Sequence, residues 1–450
     1  MKWLLVVLLM GAAGPTSAQH WVTAWAGSVQ GPYPVGNPSA QPDLEFALPS
    51  AVAGAKDQTF RLIVKPELWG RQARVRFSNA FGTKPLAIDG VFVGLQSSGA
   101  TLLPFSNRSV LFAGKKGVTV PPGGQTWSDG VALPFVSNPA APELVGRKLA
   151  VSFHVVDETG PPTWHAKAMQ TSYMTPPGAG ALGELDDDSA YPNSTTSWFF
   201  MDALDMAADP GTKLVVCFGD SITDGTASTL NGDDRWPDVL ARRLRGANSR
   251  FSVVNAGIGG NQVVGPAAYG ADQPFPGGPS ALARLARDVA GLSGVTHVIW
   301  LEGINDFSDN GKASFEQVRD GMLKGVAMLR AKIPGVRVLG ATLTGVAHTA
   351  SAAHQPPEVD QKRHAFNAFV RDDKGPFDGV VDFDAATRDP ASGAIRPEFV
   401  PSSTIGGPGD GLHPNRAGYL AMGNAVDLRL LTGMPRAPRE PPSKPAPPPG

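Results

Sequence analysis

Four short segments in the second half of the sequence combine polar side chains with glycine. In chain order they are residues 219–225 (GDSITDG), 255–261 (NAGIGGN), 303–306 (GIND) and 410–415 (DGLHPN). Among them they hold a serine, a histidine and several carboxylates and amides. These are the groups that nucleophilic catalysis of acyl transfer requires.

Ser221, His413 and Asp410 are the candidates for the reacting groups. A serine hydroxyl becomes a good nucleophile only when a base removes its proton, and an imidazole such as that of His413 suits this role. Asp410 lies three residues before His413, so it can reach the other ring nitrogen and fix the tautomer. The alternative is that Asp410 and His413 are only a polar pair at the start of a surface helix.

Attack on an ester carbonyl places negative charge on its oxygen, and hydrogen-bond donors must stabilise that charge. The backbone N–H groups of Ser221 and Gly260 and the side-chain amide of Asn305 are the three candidate donors. Glycine suits such a position because the substrate oxygen has to approach the backbone closely. Asn305 could instead be an ordinary turn residue. Asp220 and Asp224 are expected to fix the turn around Ser221.

These segments each follow a strand in an alternating pattern of strands and helices that begins at residue 211. The predicted strands are Lys213–Phe218, Phe251–Asn255, Val295–Leu301, Val336–Leu343 and Val380–Phe383. The predicted helices cover 237–244, a stretch capped by Ser280, 314–331 with a Ser314/Gln317 capping box, 359–371 and 415–430. This alternation of strands and helices predicts a parallel sheet with helices on both faces. Functional groups gather at the carboxyl ends of such strands.

The first half of the chain has a different residue pattern. Ala73, Val75 and Phe77 alternate with polar residues, as do the apolar residues of 149–155, and Gly/Pro/Asn clusters separate such stretches. Alternation of this kind predicts antiparallel strands of a β-sandwich.

The four segments resemble those of the SGNH hydrolases, also called the GDSL esterase/lipase family, in the family's order from about 213 to 430. Ser221 matches the nucleophile block, although Ile222 stands where the family name has leucine. Gly260 and Asn305 match the second and third blocks, and Asp410 with His413 matches the last. Gly260 is chosen over Gly257 and Gly259 by its spacing from Asn255. The resemblance implies an α/β, flavodoxin-like three-layer sandwich with a five-stranded parallel sheet, and a secreted subset of the family carries an N-terminal β-sandwich.

The composition and the two ends of the chain bear on the partners, location and domain organisation of the protein. The 450 residues carry a formal charge of −1 without runs of either sign, which disfavours a nucleic-acid partner. Residues 1–18 have the pattern of a secretory signal peptide, and no later stretch resembles a membrane span. The predicted organisation is therefore a signal peptide (1–18), a β-sandwich domain (19–207), an SGNH hydrolase domain (208–431) and a proline-rich disordered tail (432–450). The single cysteine, Cys217, lies in an apolar run and is interpreted as buried and inert.

The sequence therefore predicts a secreted serine esterase, extracellular or periplasmic. Its substrates would be small-molecule or polysaccharide esters, with short acyl groups such as acetyl removed. Acyl transfer or lipase activity by the same residues, or an inactive carbohydrate-binding protein, are the alternatives. No cofactor and no metal are expected, because the nucleotide-binding motifs are absent and His348, His354 and His364 match no metal-site spacing. His165, beside Trp164, is interpreted as a partly buried, hydrogen-bonded histidine rather than part of a ligand surface.

Overall fold

The structure is a computed structural model that describes residues 19–270 and 272–433. The predicted signal peptide and residues 434–450 of the predicted tail lie outside the described residues. The described chain has two halves, and each half has its own apolar core.

The N-terminal half is built from antiparallel strands. They are β1 (Trp21–Ala26), β2 (Gln30–Pro32), β3 (Gln58–Val64), β4 (Gln72–Ser78), β5 (Leu86–Ser98), β6 (Thr101–Leu102), β7 (Arg108–Ser109), β8 (Val118–Val120), β9 (Gln125–Trp127), β10 (Val131–Ala132), β11 (Leu149–Val155), β12 (Thr163–His165), β13 (Ser172–Met174), β14 (Asn193–Thr195), β15 (Trp198–Phe199) and β16 (Met201–Ala207). One sheet has the order β1-β16-β4-β10, a second β14-β13-β3-β11-β5-β6, and a third β15-β12-β2. Side chains of the first two sheets share one core, in which the rings of Phe77 and Phe153 lie 4.9 Å apart. This arrangement confirms the predicted β-sandwich.

The C-terminal half alternates strands and helices. Its strands are β17 (Lys213–Gly219), β18 (Phe251–Gly257), β19 (Val295–Leu301), β20 (Arg337–Ala341) and β21 (Gly379–Val381), and its helices are α1 (Ser221–Asp224), α2 (Trp236–Gly246), α3 (Ala281–Leu285), α4 (Ile304–Phe307), α5 (Phe315–Lys332), α6 (Pro357–Arg371), α7 (Phe383–Thr387), α8 (Arg416–Ala425) and α9 (Arg429–Thr432). All five strands are parallel, in the order β18-β17-β19-β20-β21. This is the flavodoxin-like order 2-1-3-4-5, which confirms the predicted fold class.

Three predicted elements end earlier than their apolar patterns suggested, and one of them is the fourth strand of the sheet, which stops at Ala341 rather than Leu343. The last strand stops at Val381, because Asp382 caps α7 and accepts a hydrogen bond from the backbone of Ala385. The predicted final helix is two helices, α8 and α9, separated at residues 426–428. Local capping by side chains thus overrides the apolar pattern at the end of β21, and the turn at 426–428 interrupts the helical periodicity.

Strand β4 carries a polar part of the contact between the two halves. Its apolar side chains face the sandwich core, and its arginines face the C-terminal half. Arg76 is buried and donates hydrogen bonds to Asp202 (2.7 Å) and to the carbonyl oxygen of Gly291 (2.7 Å). Beside it, the buried carboxylate of Asp205 accepts hydrogen bonds from Arg74 and, across the contact, from Ser293. The polar face of β4 therefore lies in the contact with the C-terminal half, whereas its apolar face lies in the sandwich core.

Among the described residues no helix is both long and apolar enough to cross a bilayer.

Candidate active site

Ser221 is the first residue of α1 and is separated from the end of the interior strand β17 by Asp220 alone. The carboxylate of Asp220 caps this turn by accepting a hydrogen bond from the backbone N–H of Ile222 (3.0 Å). Gly225 ends the turn with a φ of 110°, a conformation that suits glycine. The short turn leaves the hydroxyl of Ser221 at the carboxyl end of the sheet, with 7% of the residue exposed.

The structure joins Ser221, His413 and Asp410 in one hydrogen-bonded chain. The Nε2 atom of His413 lies 2.8 Å from Oγ of Ser221, and its Nδ1 atom lies 2.5 Å from Oδ2 of Asp410. Because a carboxylate only accepts, Nδ1 carries the proton and Nε2 is left to accept from the serine. Three predicted residues, 192 positions apart at the extremes, therefore have the geometry of a nucleophile, its base and an orienting acid.

Asp410 is held in place by its own loop. Its Oδ1 atom accepts hydrogen bonds from the backbone N–H groups of Leu412 and His413, both at 2.9 Å. Burial alone raises the pKa of the Asp410 carboxyl, but the bonds from His413 and the two backbone amides outweigh it and hold the pKa well below its usual range. Asp410 is therefore a carboxylate at neutral pH and can stabilise a positive charge on His413.

The three predicted donors lie in the segments that follow β17, β18 and β19: Ser221 begins α1, Gly260 lies in a loop, and Asn305 lies in α4. Those strands end in register, since Gly219 is paired with both Gly257 and Leu301. The backbone N–H groups of Ser221 and Gly260 make no hydrogen bond to any residue in 19–270 or 272–433. Nδ2 of Asn305 donates one hydrogen bond, to the carbonyl oxygen of Asn261 (3.1 Å), and it carries a second hydrogen. Asn305 thus lies beside the loop that contains Gly260.

Buried carboxylates fix the loop after β18. Asp306 accepts hydrogen bonds from the backbone N–H groups of Val263 (2.8 Å) and Val264 (3.0 Å). Burial raises the pKa of Asp306 to about 7, although these two bonds favour its ionised form. Asp224, at the end of α1, accepts a hydrogen bond from the N–H of Gly259 at 2.8 Å. Asp220 therefore holds the turn around Ser221, as the sequence predicts, whereas the side chain of Asp224 holds the neighbouring loop instead.

Three side chains of the N-terminal half reach this site, and the sequence does not predict their contacts with the C-terminal half. Asn37 donates to the carbonyl oxygen of Gly259 at 2.8 Å. Lys167 is buried and donates to the hydroxyl of Thr226 at 2.6 Å. His165, also buried, lies 3.1 Å from the carboxylate of Asp224. His165 is therefore a hydrogen-bonded histidine, as expected, but its carboxylate partner belongs to the other half of the molecule.

Two grooves lie beside the Asp410 loop. The larger has a volume of about 570 Å³ and is lined by apolar residues together with His348, Ser392 and Asp410. The second, about 370 Å³, shares Ala347 and His348 with the first and is lined by His354, Gln355 and Asp360 among others. Neither groove is lined by Ser221 or His413, and the larger one adjoins the site through Asp410 and Gly411.

The remaining candidate side chains lie apart from the hydrogen-bonded chain. Exposed His364 pairs with Asp360 at 3.3 Å, and Nδ1 of His354 lies 2.8 Å from the hydroxyl of Ser351. Cys217 is fully buried inside β17, and this burial raises the pKa of its thiol well above the usual value. The interpretation of Cys217 as a buried, inert side chain fits this position.

Comparison with known proteins places these segments in a family context. Residues 217–421 match the model of the GDSL-like lipase/acylhydrolase family. A search of curated proteins found no match. Similar solved structures include a carbohydrate acetylesterase from Sinorhizobium meliloti (18% identity, 49% of this chain, 100% of that chain, TM-score 0.37), an aryl esterase from M. smegmatis (20%, 47%, 95%, 0.34) and a GDSL-like lipase from Bacteroides thetaiotaomicron VPI-5482 (16%, 50%, 92%, 0.36).

Proposed function

We propose that the protein, a carboxylic ester hydrolase whose residues 217–421 match the model of the GDSL-like lipase/acylhydrolase family, works through an acyl-enzyme on Ser221. The observation that carries this proposal is the hydrogen-bonded chain from Ser221 through His413 to Asp410.

In the first step, Oγ of Ser221 attacks the ester carbonyl carbon while Nε2 of His413 takes the hydroxyl proton. The carbonyl oxygen becomes an oxyanion that accepts hydrogen bonds from the N–H groups of Ser221 and Gly260 and from Nδ2 of Asn305. The intermediate collapses when His413 returns the proton to the leaving alcohol, which leaves the acyl group on Ser221. Asp410 stabilises the imidazolium that exists between these two proton transfers.

In the second step, water replaces the alcohol. His413 takes a proton from water, the resulting hydroxide attacks the acyl carbon, and the same donors stabilise the second oxyanion. His413 then returns the proton to Oγ of Ser221, and the carboxylic acid leaves. None of these steps uses a metal or an organic cofactor.

We propose short acyl groups, such as acetyl, on a polysaccharide as the substrate. Ser221 and Asn305 are only 7% and 5% exposed, which favours a small acyl group at the nucleophile. The groove that contains His354, Gln355 and Asp360 offers polar groups that suit a polyhydroxylated alcohol. The pattern of residues 1–18 supports secretion of such an enzyme.

The experiment that tests the proposal is turnover of a short-chain aryl ester by the wild type and by Ser221→Ala. We expect the variant to lose turnover while it retains the thermal unfolding midpoint of the wild type. Ser137→Ala, at an exposed position of the sandwich, is the matched control and should keep full activity. Undiminished turnover by Ser221→Ala would refute the proposal.

The alternatives give different outcomes. A series of acetyl, butyryl and longer esters separates a short-chain esterase from a lipase, and acetylated xylan tests the polysaccharide. Added alcohol or saccharide that diverts the acyl group from water would indicate acyl transfer. A binding protein without activity would not be labelled by an organophosphonate, because only an activated serine reacts.

A further inference from the structure

The side chain of Asn37 connects the β-sandwich to the loop of Gly260. Asn37 lies in the segment after β2, and its Nδ2 atom donates to the carbonyl oxygen of Gly259 at 2.8 Å. That carbonyl belongs to the peptide group whose N–H is the N–H of Gly260. The contact therefore joins residues 222 positions apart and acts on a proposed oxyanion donor through one rigid peptide.

The geometry of this peptide sets the direction of the donor. A trans peptide is planar, so its C=O and N–H bonds point in opposite directions. A hydrogen bond from Asn37 to the oxygen of Gly259 therefore orients the N–H of Gly260 away from Asn37. This N–H makes no hydrogen bond within residues 19–270 and 272–433, so it is available to a substrate oxygen. A hydrogen bond at the carbonyl also polarises the peptide and strengthens its N–H as a donor.

Gly259 is also held through its own N–H group. The N–H of Gly259 donates to Asp224, and His165 of the sandwich lies against the other oxygen of that carboxylate. Space around the peptide is tight as well, since a Cβ atom at Gly260 would lie 2.8 Å from Nδ2 of Asn37. With both polar atoms of Gly259 engaged, the peptide that follows it has little freedom to rotate.

We propose that Asn37 is a positioning residue for the oxyanion hole, supplied by the N-terminal sandwich. It orients and polarises the N–H of Gly260, and so stabilises the transition state without touching the substrate. This inference rests on the proposed function, because it needs an ester carbonyl at the site. It makes the sandwich part of the catalytic apparatus rather than a separate binding module.

The test compares the wild type with Asn37→Asp and Asn37→Ala on a short-chain aryl ester. Asp is nearly the same size as Asn but cannot donate to the carbonyl oxygen when ionised, and Ala removes the group altogether. We expect kcat to fall by about 10-fold or more in both variants with little change in KM, since loss of an entire oxyanion donor reduces kcat by about 10² to 10³. Asn138→Ala, at an exposed turn of the sandwich, should leave both constants unchanged.

A second readout separates orientation of the donor from general support of the fold. An arylboronic acid forms a tetrahedral adduct with an activated serine, and its oxygen occupies the oxyanion position. Its affinity should fall in the Asn37 variants by the same factor as kcat/KM, while the thermal midpoint of Asn37→Asp stays near that of the wild type.

Unchanged kcat and boronate affinity in both variants of an active enzyme would overturn the role of Asn37 and leave the proposed function standing. A fall in activity that only follows a fall in the folded fraction would also overturn it. A wild type that hydrolyses no ester and reacts with no boronate would instead refute the proposed function and, with it, this inference.

Discussion

Nε2 of His165 lies 3.1 Å from Oδ1 of Asp224, across the contact between the sandwich and the hydrolase half. The other hydrogen-bond partners of the ring are also acceptors: the carbonyl oxygen of Ser28 lies 2.7 Å from Nδ1, and that of Lys167 lies 3.0 Å from Nε2. Because its hydrogen-bond partners are all oxygen acceptors, the ring is best satisfied when both nitrogens carry protons. Burial lowers the pKa of His165, but Asp224 and the two carbonyls outweigh burial and raise it above 6.5.

This pair predicts a pH dependence of stability. Since the pKa of His165 is higher in the folded than in the unfolded chain, its contribution to the free energy of unfolding is complete below about pH 6.5 and is lost as pH rises through the folded pKa. Thermal unfolding from pH 6 to 9 should therefore show a steeper loss of stability for the wild type than for His165→Gln. The control is His364→Gln, at an exposed position, which should retain the slope of the wild type. Parallel curves for the wild type and His165→Gln would contradict the prediction.

Substitution of Asn305 is expected to slow the chemical step. Removal of its amide by Asn305→Ala takes away one proposed oxyanion donor, so kcat should fall by about 10² or more with KM nearly unchanged. The measurement is steady-state kinetics on an aryl ester, with Asn310→Ala, exposed on the following loop, as the control. An increase in KM alone would mean that Asn305 binds the ground state of the substrate instead.

Substitution of Gly260 by alanine is expected to cause a loss of kcat that backbone strain cannot explain. Its φ of 82° is unfavourable for alanine by about 1–2 kcal/mol, and a Cβ atom would also displace Asn37. Gly211 has a φ of 86° with open space around it, at the opposite end of β17. Both Gly260→Ala and Gly211→Ala should therefore lower the thermal midpoint, whereas only Gly260→Ala should lower kcat. Equal kcat values for the two variants would argue against Gly260 as a donor.

The fold and the hydrogen-bonded chain at Ser221 could be predicted because their signals are local. Buried parallel strands are continuous apolar runs, and the polar segments follow directly after them, so convergence at one edge of the sheet follows from topology. Individual element ends were less predictable. The cap of Asp382 on α7, for example, competes with an apolar pattern that continues to Phe383.

The contributions of Asn37 and His165 could not be predicted, because they depend on how the two halves dock. Asn37 lies in an irregular segment among glycines and prolines, where its side chain has no periodic pattern to reveal its direction. The alternation in β4 likewise separates the sandwich core from the opposite face. It does not distinguish a face that meets solvent from one that meets another domain, although Arg74 and Arg76 lie in such a contact.

The burial of this face of β4 has a consequence for engineering. A hydrolase half excised from the chain would leave the carbonyl oxygen of Gly291 without the guanidinium of Arg76 and the hydroxyl of Ser293 without the carboxylate of Asp205. The sandwich is thus unsuitable as an exchangeable targeting module. Chimeras that replace it would lack the contacts that the hydrolase half makes with it. Directed evolution of this protein has to diversify both halves together, with substitutions on either side of the contact selected as pairs.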